Sequence, residues 1–236
     1  MDYNRNRFGI YFFIILSLFV NDLAVAGGTS HYNVIEYGAK ADGQTLNTKA
    51  IQQAINECSN NGGGTVEFPA GTYLTGTLFM RSNVFLNLQA GSTILGSKNL
   101  EDYPQRQPGN SSDQKFVLRA LIRGEELENA GVTGFGTIDG QGKFFYGIKI
   151  RPRLVLFVSC KDVTVAGITL QHPAAWTQHY LQCDGVTIRD VKVYAHGGEN
   201  NDMVDIDQSR NVIITGLIGD SDDDGITLKS PGEGLV

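Results

Sequence analysis

The sequence predicts a parallel β-helix closed at its amino end by one helix. Three observations lead there. First, short β-branched runs recur on one template, beginning at Val132, Val163, Val186 and Val212, with starts 31, 23 and 26 residues apart. Periods of about 20 to 50 residues are the signature of repeat architectures. Second, each unit is a polar turn, an apolar run, a Gly or Asp, and a further apolar run, with no helical period. A leucine-rich repeat would need Leu at fixed offsets and an Asn ladder, and a β-sandwich would not hold so constant a template. Third, one amphipathic segment precedes all the strands, as a cap over an open stack would.

The elements follow in order. Arg5 and Arg7, the apolar run Ile10 to Val20, and Ala24-Val25-Ala26 read as a secretory signal peptide cleaved after residue 26. The run is too short for a membrane helix, and no later stretch could span a bilayer. Residues 27–236 are then one secreted or periplasmic domain. Tyr32 to Tyr37 reads as a strand and Gly38 to Gly43 as a turn. Asn47 or Thr48 caps a helix whose Ile51, Ala54, Ile55 and Cys58 share one face. Asn60-Asn61-Gly62-Gly63-Gly64 ends it. Strands are expected at Thr65–Phe68, Thr72–Met80, Asn83–Leu88, Ser92–Leu95 and Phe116–Ile122. The polar stretch Asn99 to Gln114, with Pro104, Pro108 and the glycosylation sequon Asn110-Ser111-Ser112, reads as a loop.

Composition excludes some functions. The 236 residues carry a net charge of -6, so a nucleic-acid partner is not expected. Three cysteines, Cys58, Cys160 and Cys183, lack a C-x-x-C pair and so do not suggest a metal site. Cys160 and Cys183 lie about one coil apart and are read as stacked core residues rather than a disulfide.

Chemistry concentrates near the carboxy end. Asn200-Asn201-Asp202-Met203-Val204-Asp205-Ile206-Asp207 precedes Asp222-Asp223-Asp224-Gly225-Ile226-Thr227-Leu228-Lys229-Ser230, with Asp202 and Asp223 21 residues apart. If that interval is one coil, the carboxylates meet on one surface, because equivalent positions in successive coils lie about 4.8 Å apart. The expected separation is the roughly 6.5–9.5 Å of an inverting glycosidase, one acid donating a proton and another activating water. Asp223 and Asp224 are adjacent, so both reach one site only where the backbone bends. Asp205 and Asp207 are expected as solvated or turn-binding residues. Lys229 would either pair a substrate carboxylate or offset Asp223 and Asp224. Trp176 would be a sugar platform or a core ring. His172, His179 and His196 receive no role.

The two acidic clusters resemble the first two signatures of the polygalacturonase family, glycoside hydrolase family 28, usually N-T-D-G and G-D-D-C-I-A. Asn33-Val34-Ile35-Glu36-Tyr37-Gly38-Ala39, Phe68-Pro69-Ala70-Gly71-Thr72-Tyr73, Gly136-Thr137-Ile138-Asp139-Gly140-Gln141-Gly142, Arg151-Pro152-Arg153 and Trp176 extend the resemblance over Tyr32 to Val236. It implies a right-handed β-helix that hydrolyses α-linked galacturonate in pectin with inversion. Asp223 would be the general acid, and Asp202 and Asp224 would hold the water. Asn200, Lys229 and Trp176 are the candidate substrate contacts. No metal or cofactor is implied, and a monomer is expected. Met203, Asp222, Gly225 and His172-Pro173-Ala174-Ala175-Trp176 depart from the family pattern and point to a specificity other than unbranched polygalacturonate. The family's later G-H-G and R-x-K motifs are not in the sequence, so a longer protein is expected, of which this part alone would be poorly stable and weakly active. Two other readings share the fold: a calcium-dependent pectate lyase and a β-helix that binds polysaccharide without cutting it. Asp220, Asp222, Asp224 and Gly225 fit the start of an EF-hand loop, but Pro231 stands where its Glu belongs and the flanks are not helical.

Overall fold

The computed structural model describes residues 30–106 and 118–230. The signal-peptide reading, the sequon and Pro231 lie outside them. The chain coils into three parallel sheets. The first holds His31–Asn33, Gly64–Phe68, Val84–Leu88, Glu128–Gly134, Lys161–Ala166, Asp184–Arg189 and Arg210–Thr215. The second holds Gly71–Thr75, Ser92–Gly96, Thr137–Asp139, Thr169–Gln171, Lys192–Ala195 and Ile218–Ser221. The third holds Leu78–Phe79, Arg119–Glu125, Pro152–Val158, Gln178–Leu181, Val204–Asp207 and Ile226–Lys229. Every strand pair within these sheets is parallel. This is a right-handed parallel β-helix.

The core is built from registered columns. Val66, Leu86, Val132, Val165, Ile188 and Ile214 stack along the first sheet. Tyr73, Ile94, Ile138, Leu170 and Val193 stack along the second. Phe157 and Tyr180 stack in the third with parallel rings 6.1 Å apart. Aliphatic side chains one coil apart bury each other on both sides, which is why β-branched runs recur once per coil. The register corrects one sequence expectation. Val132 pairs with Val165 rather than Val163, whereas Val163, Val186 and Val212 align as expected. The interval contains a longer turn, and counting β-branched starts cannot see a two-residue slip.

The helix α1, Thr48–Asn60, buries Ile51, Ala54, Ile55 and Cys58 over the first coil. Its Gln52 amide donates to the carbonyl of Phe79 and accepts from the Phe79 N–H, so it occupies the exposed edge of the third sheet. The Asn47 side chain does not cap α1. It bonds the Lys40 N–H and the carbonyls of Lys40 and Thr45, fixing the turn before the helix. Tyr32 to Tyr37 is not one strand. His31–Asn33 is extended, then Asn33 accepts from the Ile35 N–H and Val34–Tyr37 turns as a 3-10 helix.

All three cysteines are buried and free, and Cys160 and Cys183 are stacked neighbours, as expected. At the far end the inward positions of the last described coil are uncovered, with Ile226 50% and Leu228 66% exposed. Stability should therefore depend on position along the stack. Ile138→Ala, in the middle of a covered column, should cost about 2–5 kcal/mol, while Leu228→Ala should cost under about 1 kcal/mol. Urea unfolding of both variants checks this, and equal losses would contradict it.

Candidate active site

Two corners of each coil are tight. Glu126, Ser159, Gln182 and Gln208 follow successive third-sheet strands, each with φ between 49° and 54°. Their strain is partly offset by a polar ladder in which Ser159 donates to Gln182 and Gln182 to Gln208. The corner between the second and third sheets is longer and varies from coil to coil, spanning residues 140–151, 172–177, 196–203 and 222–225 in turn. Every candidate catalytic residue lies on it.

Backbone pairing puts these turns in register. The Thr177 N–H donates to the Asp202 carbonyl, and the Met203 N–H to that of Asp224. Following the strand register back into the turns by two or three residues aligns Arg153, Trp176, Asp202 and Asp224 in one column. Asp223 then falls beside Asn201. The backbone bends at 222–225, and the Asp224 N–H bonds the Asp223 carboxylate, so the two adjacent acids turn to the same side. One carboxylate oxygen from each of Asp202, Asp223 and Asp224 lies within 4.8 Å of the others. That is closer than the separation expected from sequence. It is the spacing of two acceptors sharing one water, about 4.6 Å for hydrogen bonds of 2.8 Å meeting at a tetrahedral angle. Asp202 is buried, and Asp223 and Asp224 are exposed.

Behind this trio lies a buried charged layer that the sequence reading missed. Val204 and Ile206 point into the core, and Asp205 and Asp207 point outward, yet they are 0% and 4% exposed rather than solvated. Their cover comes from neighbouring coils and turns. Thr227 donates to Asp205 at 2.6 Å, and buried His179 sits 3.4 Å from Asp207. Lys229 ion-pairs with Asp205 and reaches Asp202 at 3.4 Å, so it offsets these two acids rather than Asp223 and Asp224. Its ammonium also lies 3.6 Å from the centre of the Trp176 ring, which Arg153 approaches at 4.5 Å and His179 meets edge-on at 4.8 Å. Trp176 is thus a partly buried ring that orders two cations. The legible signal was charged residues alternating with Val and Ile in a strand of a packed sheet.

Asn200 is exposed, with a left-handed backbone, and accepts from Arg151 at 3.3 Å. Its neighbour Asn201 is the buried amide, donating to the Ala195 carbonyl at 2.6 Å. His196 has a structural part after all. It bonds Asp222 at 2.7 Å and lies 3.3 Å from Asp220, while the Gly197 N–H bonds Asp222 at 2.6 Å. These bonds anchor the 222–225 turn. They hold the Asp222 carboxyl below its usual range, the Gly197 N–H most strongly, and raise the His196 imidazole, chiefly through Asp222. His172 bonds Asp139 at 2.9 Å.

Burial sets the charges in the layer. It pushes the Asp205 carboxyl up to about 6 despite Lys229 and Thr227, with Asp202 adding to the rise. It lowers the His179 imidazole to about 4, so His179 is neutral near pH 7. Within the layer Asp202 Oδ1, Asp205 Oδ2, Asp207 Oδ1, His179 Nδ1 and Arg153 Nε have no hydrogen-bond partner among the described residues, so they present polar atoms for water or ligand.

The sign of the Asp205 effect can be tested. Between about pH 4 and about 6 the unfolded chain loses this proton while the folded chain keeps it, so this group's contribution to stability falls as pH rises. Asp205→Asn removes that dependence. The stability of the variant relative to wild type, from urea unfolding at several pH values, should therefore increase across pH 4 to 6. A constant difference would refute it.

The chain is 31% identical to "Probable polygalacturonase" of Vitis vinifera over 84% of its own length and 44% of the relative's. It is 27% identical to "Exo-poly-alpha-D-galacturonosidase" of Dickeya chrysanthemi over 84% of its own length and 42% of the relative's. Among solved structures it resembles the family 28 exopolygalacturonase of Yersinia enterocolitica, with a TM-score of 0.74 and 28% identity, covering 85% of this chain and 45% of that one. The chain thus spans about half the length of the curated relatives it matches. The sequence profile of Glycosyl hydrolases family 28 matches residues 58–235, and with the acidic trio assembled on that β-helix the chain belongs to this family.

Proposed function

We propose that the protein hydrolyses α-linked galacturonate in pectic polysaccharide by an inverting acid–base mechanism. The observation that carries this reading is the convergence of Asp202, Asp223 and Asp224 in a family 28 chain. Asp223, exposed on the bent turn, gives its proton to the leaving glycosidic oxygen. Asp202 and Asp224 hold one water between them and take its proton as it attacks the anomeric carbon from the opposite face. Lys229 balances the buried charge on Asp202, and Trp176 keeps Lys229 in place. The amino-terminal 26 residues direct export, which suits a substrate outside the cell.

A second reading has one observation in its favour. Three carboxylate oxygens so close together are also a donor set for a divalent cation, as a calcium-dependent lyase would need. The two reactions leave different ends. Homogalacturonan and rhamnogalacturonan are incubated with the full-length protein, with and without chelator. Hydrolysis should yield new reducing ends with no ultraviolet-absorbing unsaturated product, unchanged by chelator, and the better backbone identifies the linkage. Absorbance that chelation abolishes would replace hydrolysis by elimination, and no product from any pectic backbone would leave binding alone.

Two variants probe the roles. Asp223→Asn should lower kcat by about 10²–10⁴-fold, the usual worth of a general acid, with the melting temperature retained; undiminished turnover would remove Asp223 from the mechanism. Lys229→Met deprives Asp202 and Asp205 of their counter-charge, so the acidic limb of the kcat/KM–pH profile should move to higher pH. An unmoved limb would mean that Lys229 does not act through these acids.

A further inference from the structure

The row of long turns carries a second feature upstream of the acids. The 140–151 turn contains Lys143, Lys149 and Arg151 and no acidic residue. At its tip Phe144 is 45% exposed, while the next residue, Phe145, is buried edge-to-face against Tyr103. The Lys98 ammonium, from the equivalent turn one coil earlier, lies 4.5 Å from the centre of the Phe144 ring, and that of Lys143 lies 5.4 Å from it. The turns are tied together by Gln141, which donates to the Gly96 carbonyl at 2.6 Å. Two like charges on one exposed ring repel each other, and among the described residues neither ion-pairs with a carboxylate. On the same turn Arg151 is engaged with the Glu199 carbonyl and Asn200, and nearer the acids Lys229 is engaged with Asp202 and Asp205. On a chain of net charge -6, this is a local, pre-ordered pair of cations without a counter-ion among the described residues.

The feature is continuous with the acids. The 140–151 turn leans along the helix axis, Tyr146 bonding the His196 carbonyl at 3.0 Å and Arg151 bonding Glu199. Between these turns lies a cavity of about 420 Å³ lined by Tyr146, Arg151, Glu199 and Asp222. The Asp222 charge there is already met by His196 and the Gly197 N–H. At about 4.8 Å per coil, the Phe144 turn stands about 10 Å from the Asp202 turn and about 14 Å from the Asp224 turn. A polyanion with a carboxylate on each sugar could touch both sites at once.

We propose that Lys98, Lys143 and Phe144 form a remote subsite for the carboxylates of a uronate polymer, a few sugars from the bond that is cut. The ring holds the two ammonium groups, and the ammonium groups hold the polymer. This rests on the pectic substrate proposed above and adds a reason for the enzyme to prefer long uronate chains to short ones.

The test is calorimetric binding to the full-length protein carrying Asp223→Asn, with hexagalacturonate, trigalacturonate and a neutral galactose hexamer as probes. Lys98→Gln/Lys143→Gln should weaken hexagalacturonate binding about 5–10-fold, the worth of two partly exposed charge contacts, and trigalacturonate binding by no more than about twofold. Phe144→Ala should weaken the hexamer about threefold by freeing the lysines, and Lys98→Arg/Lys143→Arg should bind it as wild type does. Added salt should erase the difference between the parent and the Gln variant. The proposal is overturned by unchanged hexagalacturonate affinity in a Gln variant that melts like its parent, by equal losses for trimer and hexamer, or by the same loss for the neutral hexamer. Hexagalacturonate bound through these lysines by a protein that hydrolyses no pectic polymer would remove the proposed reaction and leave the subsite standing. Hydrolysis with lysine-independent binding would do the reverse.

Discussion

The structure depends on one constraint: parallel strands kept in register from coil to coil by backbone hydrogen bonds. That ladder brings residues 22 to 26 apart in sequence to adjacent positions in space. It builds the core, since each aliphatic column is one position repeated along the axis. It also builds the site, since Arg153, Trp176, Asp202 and Asp224 are another such position on the outside of the same coils. Fold and active site are two readings of one register. A slip of one residue would move every side chain to the opposite face and lose both.

The three corners of each coil divide the labour. The tight corner after the third sheet accepts left-handed backbone at non-glycine residues and shows almost no variation in length. The corner before that sheet is free to lengthen, because its turns project over solvent without interrupting any ladder. Chemistry therefore accumulates there, on irregular segments held by a rigid scaffold. The 222–225 bend, anchored by His196 and Gly197, turns two adjacent acids the same way, which no regular strand could do.

Beneath the acids, charge is buried by design of the stack rather than by accident of a loop. Asp205 and Asp207 would be costly alone, since an unpaired buried charge loses its hydration. Lys229, Thr227 and His179 come from neighbouring coils to meet them, and Trp176 orders Lys229 from the side. The layer thus couples the position of the Asp202 carboxylate to the packing of three successive coils.

Much of this was legible in the linear chain. The recurrence of β-branched runs showed the coil, the amphipathic period of residues 51–58 showed the cap, and two acidic clusters one coil apart showed the trio. Such features repeat at the period of the structure, so sequence spacing maps directly onto space. What the chain alone could not reveal depends on residues from different coils and turns meeting. Val132 pairs with Val165 because of the turn length between them. Asp205 and Asp207 are buried because other coils and turns cover them. Lys229 faces Asp202 and Asp205 because the register sets its strand against theirs, and Asn201 rather than Asn200 is the buried amide because the turn bends at Asn200. Burial and side-chain direction are properties of the assembled stack, and only the tertiary structure decided them.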